Sequence, residues 1–109
     1  MLDEQEFRTR SEEALDGLKE ALERASDRHD FEVDSNQGAL TVEFGDPPAK
    51  FVVSPNAPVR QIWVSARVRS FKLDWNETSA AFVLAGGRTL RQLIADVVSE
   101  QLGERISLA

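Results

Sequence analysis

The sequence predicts an α+β domain: a two-layer α/β sandwich with N- and C-terminal helices packed on one face of a five- to six-stranded antiparallel sheet. Three observations carry this reading. Both ends of the chain repeat apolar residues at helical spacing, the middle alternates apolar and polar residues in short runs, and the links between those runs are too short for parallel crossovers. Each helix has one apolar side to bury, and one face of a sheet covers both, leaving the other face to water.

The first helix follows from Phe7, Ser11, Ala14, Leu15, Leu18, Leu22 and Ala25, which fall on one arc at about 100° per residue. Asp3 and Glu6 have the spacing of a capping box at its start. Glu12, Glu13, Asp16, Glu20, Glu23 and Asp27 occupy the opposite arc, so the helix has an apolar side and an acidic side. Phe31 and Val33 predict a first strand with Asp30, Glu32 and Asp34 on its other face. Asn36-Gln37-Gly38 is a turn, and Leu40 to Phe44 alternates as the next strand. Gly45-Asp46-Pro47-Pro48 predicts a break before a strand over Lys50 to Ser54, and Pro55-Asn56-Ala57-Pro58 a further turn. Strands over Val59–Ala66, Phe71–Trp75 and Ala81–Leu84 follow. Gly86-Gly87 ends them, Thr89-Leu90-Arg91-Gln92 reads as a second capping box, and Leu90, Leu93, Ile94, Val97, Val98 and Leu102 mark the closing helix. Gly103 would end it, with Ile106 and Leu108 packing back onto the domain.

The length suits one domain over residues 1–109, without repeats or linkers. The absence of cysteine excludes disulfides, thiolate metal sites and a cysteine nucleophile, and fits a reducing compartment. The acidic start is unlike a signal or transit peptide, and no apolar run is long enough to span a membrane, so a cytoplasmic location is expected. The net charge of −6 is unevenly spread: residues 1–36 hold 12 acids and 5 bases, residues 37–109 hold 7 acids and 8 bases. Such a field repels nucleic acid and anionic lipid and attracts cations or basic proteins.

No catalytic or phosphate-binding motif is visible: Gly86-Gly87 lacks the following Lys-Ser/Thr of a phosphate loop. Exposed acids on a helix also lack the desolvation that tunes a catalytic carboxyl, so no enzyme is expected. Carboxylates at i, i+3 and i+4 lie about 5–6 Å apart, close enough for two to share one hard cation but not to cage it. His29, beside Asp27 and Asp30, is read as a solvated loop residue or a further metal ligand. On the strand after Pro58, alternation puts Gln61, Trp63 and Ser65 on the open sheet face, where an exposed tryptophan is an interface anchor. Arg60, Arg67, Arg69 and Lys72 form a basic stretch able to meet an acidic surface, and Asp74-Trp75 reads as structural.

The ordered set resembles the frataxin family. Gly38-Ala39-Leu40-Thr41-Val42 is similar to its Gly-x-Leu-Thr-Val/Ile strand, and Pro58-Val59-Arg60-Gln61-Ile62-Trp63-Val64-Ser65 to its Pro-x-x-Gln-Ile/Val-Trp-Leu-Ser/Ala stretch. Asp74-Trp75 and Gly87-Arg88-Thr89-Leu90 match two further signatures. Length favours the bacterial, CyaY-like branch. The resemblance implies an accessory protein of iron–sulfur cluster assembly that binds the cysteine desulfurase–scaffold complex and, weakly, ferrous and ferric iron. It places iron on Glu12, Glu13, Asp16, Glu20, Glu23, Asp27, Asp30 and Glu32, and partner contacts on Glu12, Asp16, Glu20, Arg60, Gln61 and Trp63. It implies a monomer, leaving open whether iron drives oligomers. Arg8 and Arg24 depart from the family by standing where acid is common, and the aromatic usual after Asp-Trp falls on Ala81 or Phe82. The competing readings are a small acidic secretion-type chaperone, a metal-free interaction module, and a ferroxidase, which open carboxylates disfavour.

Overall fold

Asp3 starts helix α1 (Glu4–Ser26) by accepting the Glu6 backbone N–H at 2.8 Å. A computed structural model describes residues 2–108, so Met1 and Ala109 lie outside the described residues. Glu6 returns no bond to the Asp3 backbone, so only half of the expected capping box forms. Phe7, Ser11, Leu15, Leu18, Ala21 and Leu22 form the buried side of α1; Ala14 and Ala25 flank it, half-buried.

Six strands follow in a plain antiparallel meander, β1 (Glu32–Asn36), β2 (Ala39–Gly45), β3 (Pro48–Asn56), β4 (Gln61–Ala66), β5 (Arg69–Asn76) and β6 (Ala81–Val83). Helix α2 (Leu90–Leu102) closes the order. The predicted fold class is therefore observed, with six strands, and both helices cover one sheet face. Here α1 lies closest to β1 and β2, and α2 to β6.

Local chemistry sets the hairpins. Gln37 and Gly38 both take positive φ, 52° and 86°, as a two-residue turn matched to strand twist requires. The turns Asp46-Pro47 and Arg67-Val68 are equally tight, closing on the pairs Gly45↔Pro48 and Ala66↔Arg69. Three expected boundaries are corrected. Phe31 is buried just before β1 rather than inside it. Strand β3 begins at Pro48 and runs through Pro55, beyond the expected Lys50–Ser54. Its β2 pairing ends at Val53, so no neighbour on that side requires the missing proline N–H. Strand β4 starts at Gln61, because Ala57–Val59 forms a 3-10 turn and Arg60 sits in the left-handed region at φ 55°.

The core joins both helices to alternate strand residues such as Val42, Phe51, Val53, Ile62, Val64 and Leu73. Phe82 is buried, with ring centroids 5.8 Å from Phe7 and 5.2 Å from Trp75, both edge-on. Thr89 and Gln92 form the full capping box of α2, and Gly103 at φ 72° ends it. Ile106 and Leu108 pack into the core as expected.

Candidate functional site

Helical periodicity places Glu12, Glu13, Asp16, Glu20 and Glu23 on the outer side of α1, all exposed, with Asp27 closing the helix. Neighbours are three or four residues apart, which sets their carboxyls about 5–6 Å apart along the helix surface. Arg10 lies 3.6 Å from Glu13. Among the described residues, the other seven acids of the expected iron set make no ion pair within 4 Å. Arg8 turns to Glu4, 3.8 Å away, and leaves the row unneutralised. The field of the row therefore reaches solvent.

The strand acids stand apart from this row. Glu32 pairs across the sheet with Glu43 and Asp34 with Thr41, on the face opposite the helices, while Val33 and Val42 point inward. Asp30 lies exposed in the link between α1 and β1. The eight acids thus border one edge of the molecule from two layers. Among the described residues no three carboxylate or imidazole side chains converge on one point. A cation on α1 would rest on two carboxylates and water, which fits weak, exchangeable binding of a hard ion.

His29 is neither a free loop residue nor beside its acidic neighbours. Its side chain is 18% exposed, and Nδ1 lies 3.1 Å from Glu104 Oε1 without an aligned hydrogen bond. It connects the end of α1 to the segment after α2.

A second cluster stands on the open sheet face. Trp63 is 38% exposed, and its Nε1 donates to Gln61 Oε1 at 2.9 Å. Gln61 Nε2 donates in turn to Asp74 Oδ1 at 3.1 Å, across the β4–β5 register that pairs them. Lys72, opposite Trp63, holds its Nζ 5.0 Å from the ring centroid. The result is a braced, flat aromatic surface with a cation on it. Sequence reading placed Gln61 and Trp63 here but missed that Lys72 and Asp74 complete the group. The signal was the tight Arg67-Val68 turn, which sets Trp63 opposite Lys72.

The expected basic stretch is dispersed. Arg60 turns its guanidinium back onto the Ala57 carbonyl. Arg67 donates to Gln101 at 3.2 Å and Arg69 pairs with Glu100 at 2.9 Å, both tying the β4–β5 hairpin to α2. Gln101 is buried and also donates to the Pro47 carbonyl at 2.9 Å. Trp75 is structural as expected, half-buried against Phe82 with Arg10 over its ring at 5.3 Å. Arg88, just before α2, and Arg105, just after it, both bond Asp96 on the helix, at 2.8 and 3.0 Å. The Arg88 hydrogen bond above all, and then Arg105, hold the Asp96 carboxyl below the ordinary carboxylate range, against the opposing effect of burial.

Comparison with known proteins follows the same outline. The family model of the frataxin-like domain matches residues 1–104. The iron–sulfur cluster assembly protein CyaY of Tolumonas auensis is 31% identical over 96 residues, covering 86% of this chain and 90% of its own. The CyaY of Cupriavidus metallidurans is 32% identical over 109 residues, covering 98% and 96%. Among solved structures, a frataxin from Psychromonas ingrahamii superposes with a TM-score of 0.85 over 99% of both chains at 18% identity, which speaks to the fold. With the family match spanning the ridge helix, all six strands and the closing helix, this chain belongs to the frataxin-like family.

Proposed function

We propose that this protein is a non-catalytic accessory factor of iron–sulfur cluster assembly, which binds the cysteine desulfurase–scaffold complex and carries ferrous or ferric iron loosely as cargo. The observation that supports it most is the row on α1: five exposed acids besides Glu13, from Glu12 to Asp27, without ion-pair partners among the described residues. Such a row steers a basic partner surface and needs no cage to hold it. That the CyaY relatives are iron–sulfur cluster assembly proteins supports the same pathway for this chain.

In this reading Glu12, Asp16 and Glu20 meet a basic patch on the desulfurase, while Gln61 and Trp63 meet the scaffold side, with Arg60 at the border of that contact. Iron sits on carboxylate pairs of the same ridge, so iron and the basic partner compete for one set of oxygens. The protein works in the cytoplasm, as a monomer. Two geometric facts weigh against the chaperone alternative. Among the described residues the exposed large hydrophobics are Val59, Trp63 and Val68, too few to line a greasy groove, and the buried apolar side chains form one core.

The test is a pull-down of purified desulfurase and scaffold, with and without ferrous iron. Glu12→Lys, Glu13→Lys, Asp16→Lys and Glu20→Lys together should abolish capture of the desulfurase while circular dichroism remains that of the folded protein. Capture by the reversed protein at moderate salt would sink the proposal.

A further inference from the structure

Three adjoining hollows on the helical layer are lined by arginines, beside a fourth at the start of α1 that Asp3, Glu6 and Arg10 border. The first, about 410 Å3, lies between Arg10 on α1, Trp75 on β5 and Arg91 on α2. The second, about 700 Å3, lies between α2 and the chain after it, bordered by Arg88, Arg91 and Arg105. The third, about 430 Å3, lies on the α1 side of the same tail, bordered by Arg24, Arg28 and Arg105. Neighbouring hollows share a residue: Arg91 joins the first to the second, and Arg105 the second to the third. They form one track along the α1–α2 layer.

The charge of this track is opposite to that of the whole protein. Six of the 13 basic residues border it, against only Glu13 and Asp96 of the 19 acids. Arg88 and Arg105 share the one carboxylate of Asp96, so that pair of cations is only half neutralised. Among the described residues Arg24, Arg28 and Arg91 make no ion pair within 4 Å. At the far end, Trp75 Nε1 is buried without an acceptor. The charged groups along the track are mostly donors.

We propose that this arginine track docks an extended, carboxylate-rich segment of a partner protein. Guanidinium groups take carboxylates bidentately, so Arg24, Arg28 and Arg91, without ion pairs among the described residues, read acids spaced along a strand. From Arg10 to Arg24 the helix rises about 21 Å, and Arg28 follows just past its end, a span within reach of roughly eight residues of extended chain. A slender peptide also avoids the acids of the same helix. Glu20 and Glu23 lie on the next face of α1, where the phosphates of a bulkier nucleic acid would meet them. The site is independent of the ridge reading, since it takes a partner of opposite charge on another surface. One small domain would then hold a basic partner and an acidic one at once.

Trp75 reports on this site directly. The chain has two tryptophans, so Trp63→Phe leaves Trp75 as the only one. Titrating that protein with a synthetic peptide of about eight residues rich in Asp and Glu should give a saturable change in indole fluorescence. Arg24→Glu with Arg28→Glu should weaken the binding about tenfold or more, Arg24→Gln with Arg28→Gln by less, and Glu12→Lys with Asp16→Lys, which removes repulsion, should not weaken it. Both arginines are exposed and unpaired, and circular dichroism will verify that the variants fold. No saturable binding, or binding indifferent to Arg24 and Arg28, would overturn the proposal. So would tighter binding of a single-stranded oligonucleotide than of the peptide. Concentration-dependent self-association abolished by the arginine reversals would make a second copy of the chain the occupant and overturn it equally.

Discussion

The indole N–H of Trp63 donates to the side-chain carbonyl of Gln61, two residues earlier on the same strand, at 2.9 Å. The bond meets the tryptophan's only polar need within the protein and restrains the ring on the open sheet face. A partner that covers this ring gains its area without paying to order the side chain. Trp63→Ala should change unfolding free energy by about 1 kcal/mol or less, since the site is partly solvated. It should weaken the complex with desulfurase and scaffold about 30-fold, a loss of about 2 kcal/mol. Trp63→Phe, which keeps a ring, should fall between. Calorimetric titration beside urea unfolding separates the two effects, and equal losses in both would show a merely structural tryptophan.

An exposed acidic row acts through its field, which salt screens within about 8–10 Å at physiological strength. Association with the desulfurase should therefore slow steeply as salt rises from about 50 to 200 mM, while dissociation changes little. Stopped-flow or surface measurements give both rates. The quadruple lysine variant on Glu12, Glu13, Asp16 and Glu20 should lose this salt dependence along with its binding.

Asp96 is the carboxylate with a resolved shift, lowered chiefly by the Arg88 hydrogen bond and further by Arg105. A carboxyl depressed in the folded state contributes stability above its unfolded pKa, about 3.9. Between the two pKa values the unfolded chain binds the extra proton, so stability falls as pH drops through that window. Asp96→Asn should thus unfold more readily than the parent at pH 7, and the gap should narrow below about pH 3. Thermal unfolding at several pH values reads this directly; a gap that stays constant with pH would show that the charge contributes nothing.

Gly17 sits in the middle of α1, where a glycine costs roughly 1 kcal/mol relative to alanine. A Cβ built there would come 2.7 Å from Arg91 Nη2, the mobile tip of a side chain reaching across from α2. The tip can swing away, since Arg91 is exposed and its hydrogen bond to the Leu108 carbonyl is long at 3.4 Å. Gly17→Ala should therefore stabilise the protein by about 0.5–1 kcal/mol, measurable as a shift of the urea midpoint. A loss instead would show that Arg91 is held where it is by its packing on α1.

The boundaries that sequence reading misplaced share a cause. Pro48 and Pro55 read as breaks because proline lacks the N–H of a ladder, yet both lie in β3, Pro48 at its first residue and Pro55 past the end of β2. Arg60 read as strand because its neighbours alternate, but the 3-10 turn before it forces a left-handed backbone. Long-range pairs were equally out of reach: His29 with Glu104, Arg67 with Gln101, and Arg69 with Glu100 join residues 31 or more apart in sequence.

Residue order alone determined the helices, the meander, the acidic side of α1 and the open-face position of Trp63, because each depends on a period that local backbone geometry enforces. Tertiary packing decided which charges stay free. An ion pair needs two side chains within a few ångströms: the chain before and after α2 folds onto that helix to bring Arg88 and Arg105 to Asp96, while the docking of α2 and its tail beside α1 leaves Arg24 and Arg28 without ion-pair partners among the described residues. The same docking lined up Arg10, Arg24 and Arg28 with Arg91 and Arg105, cations that lie apart along the chain and share one surface only when it is folded.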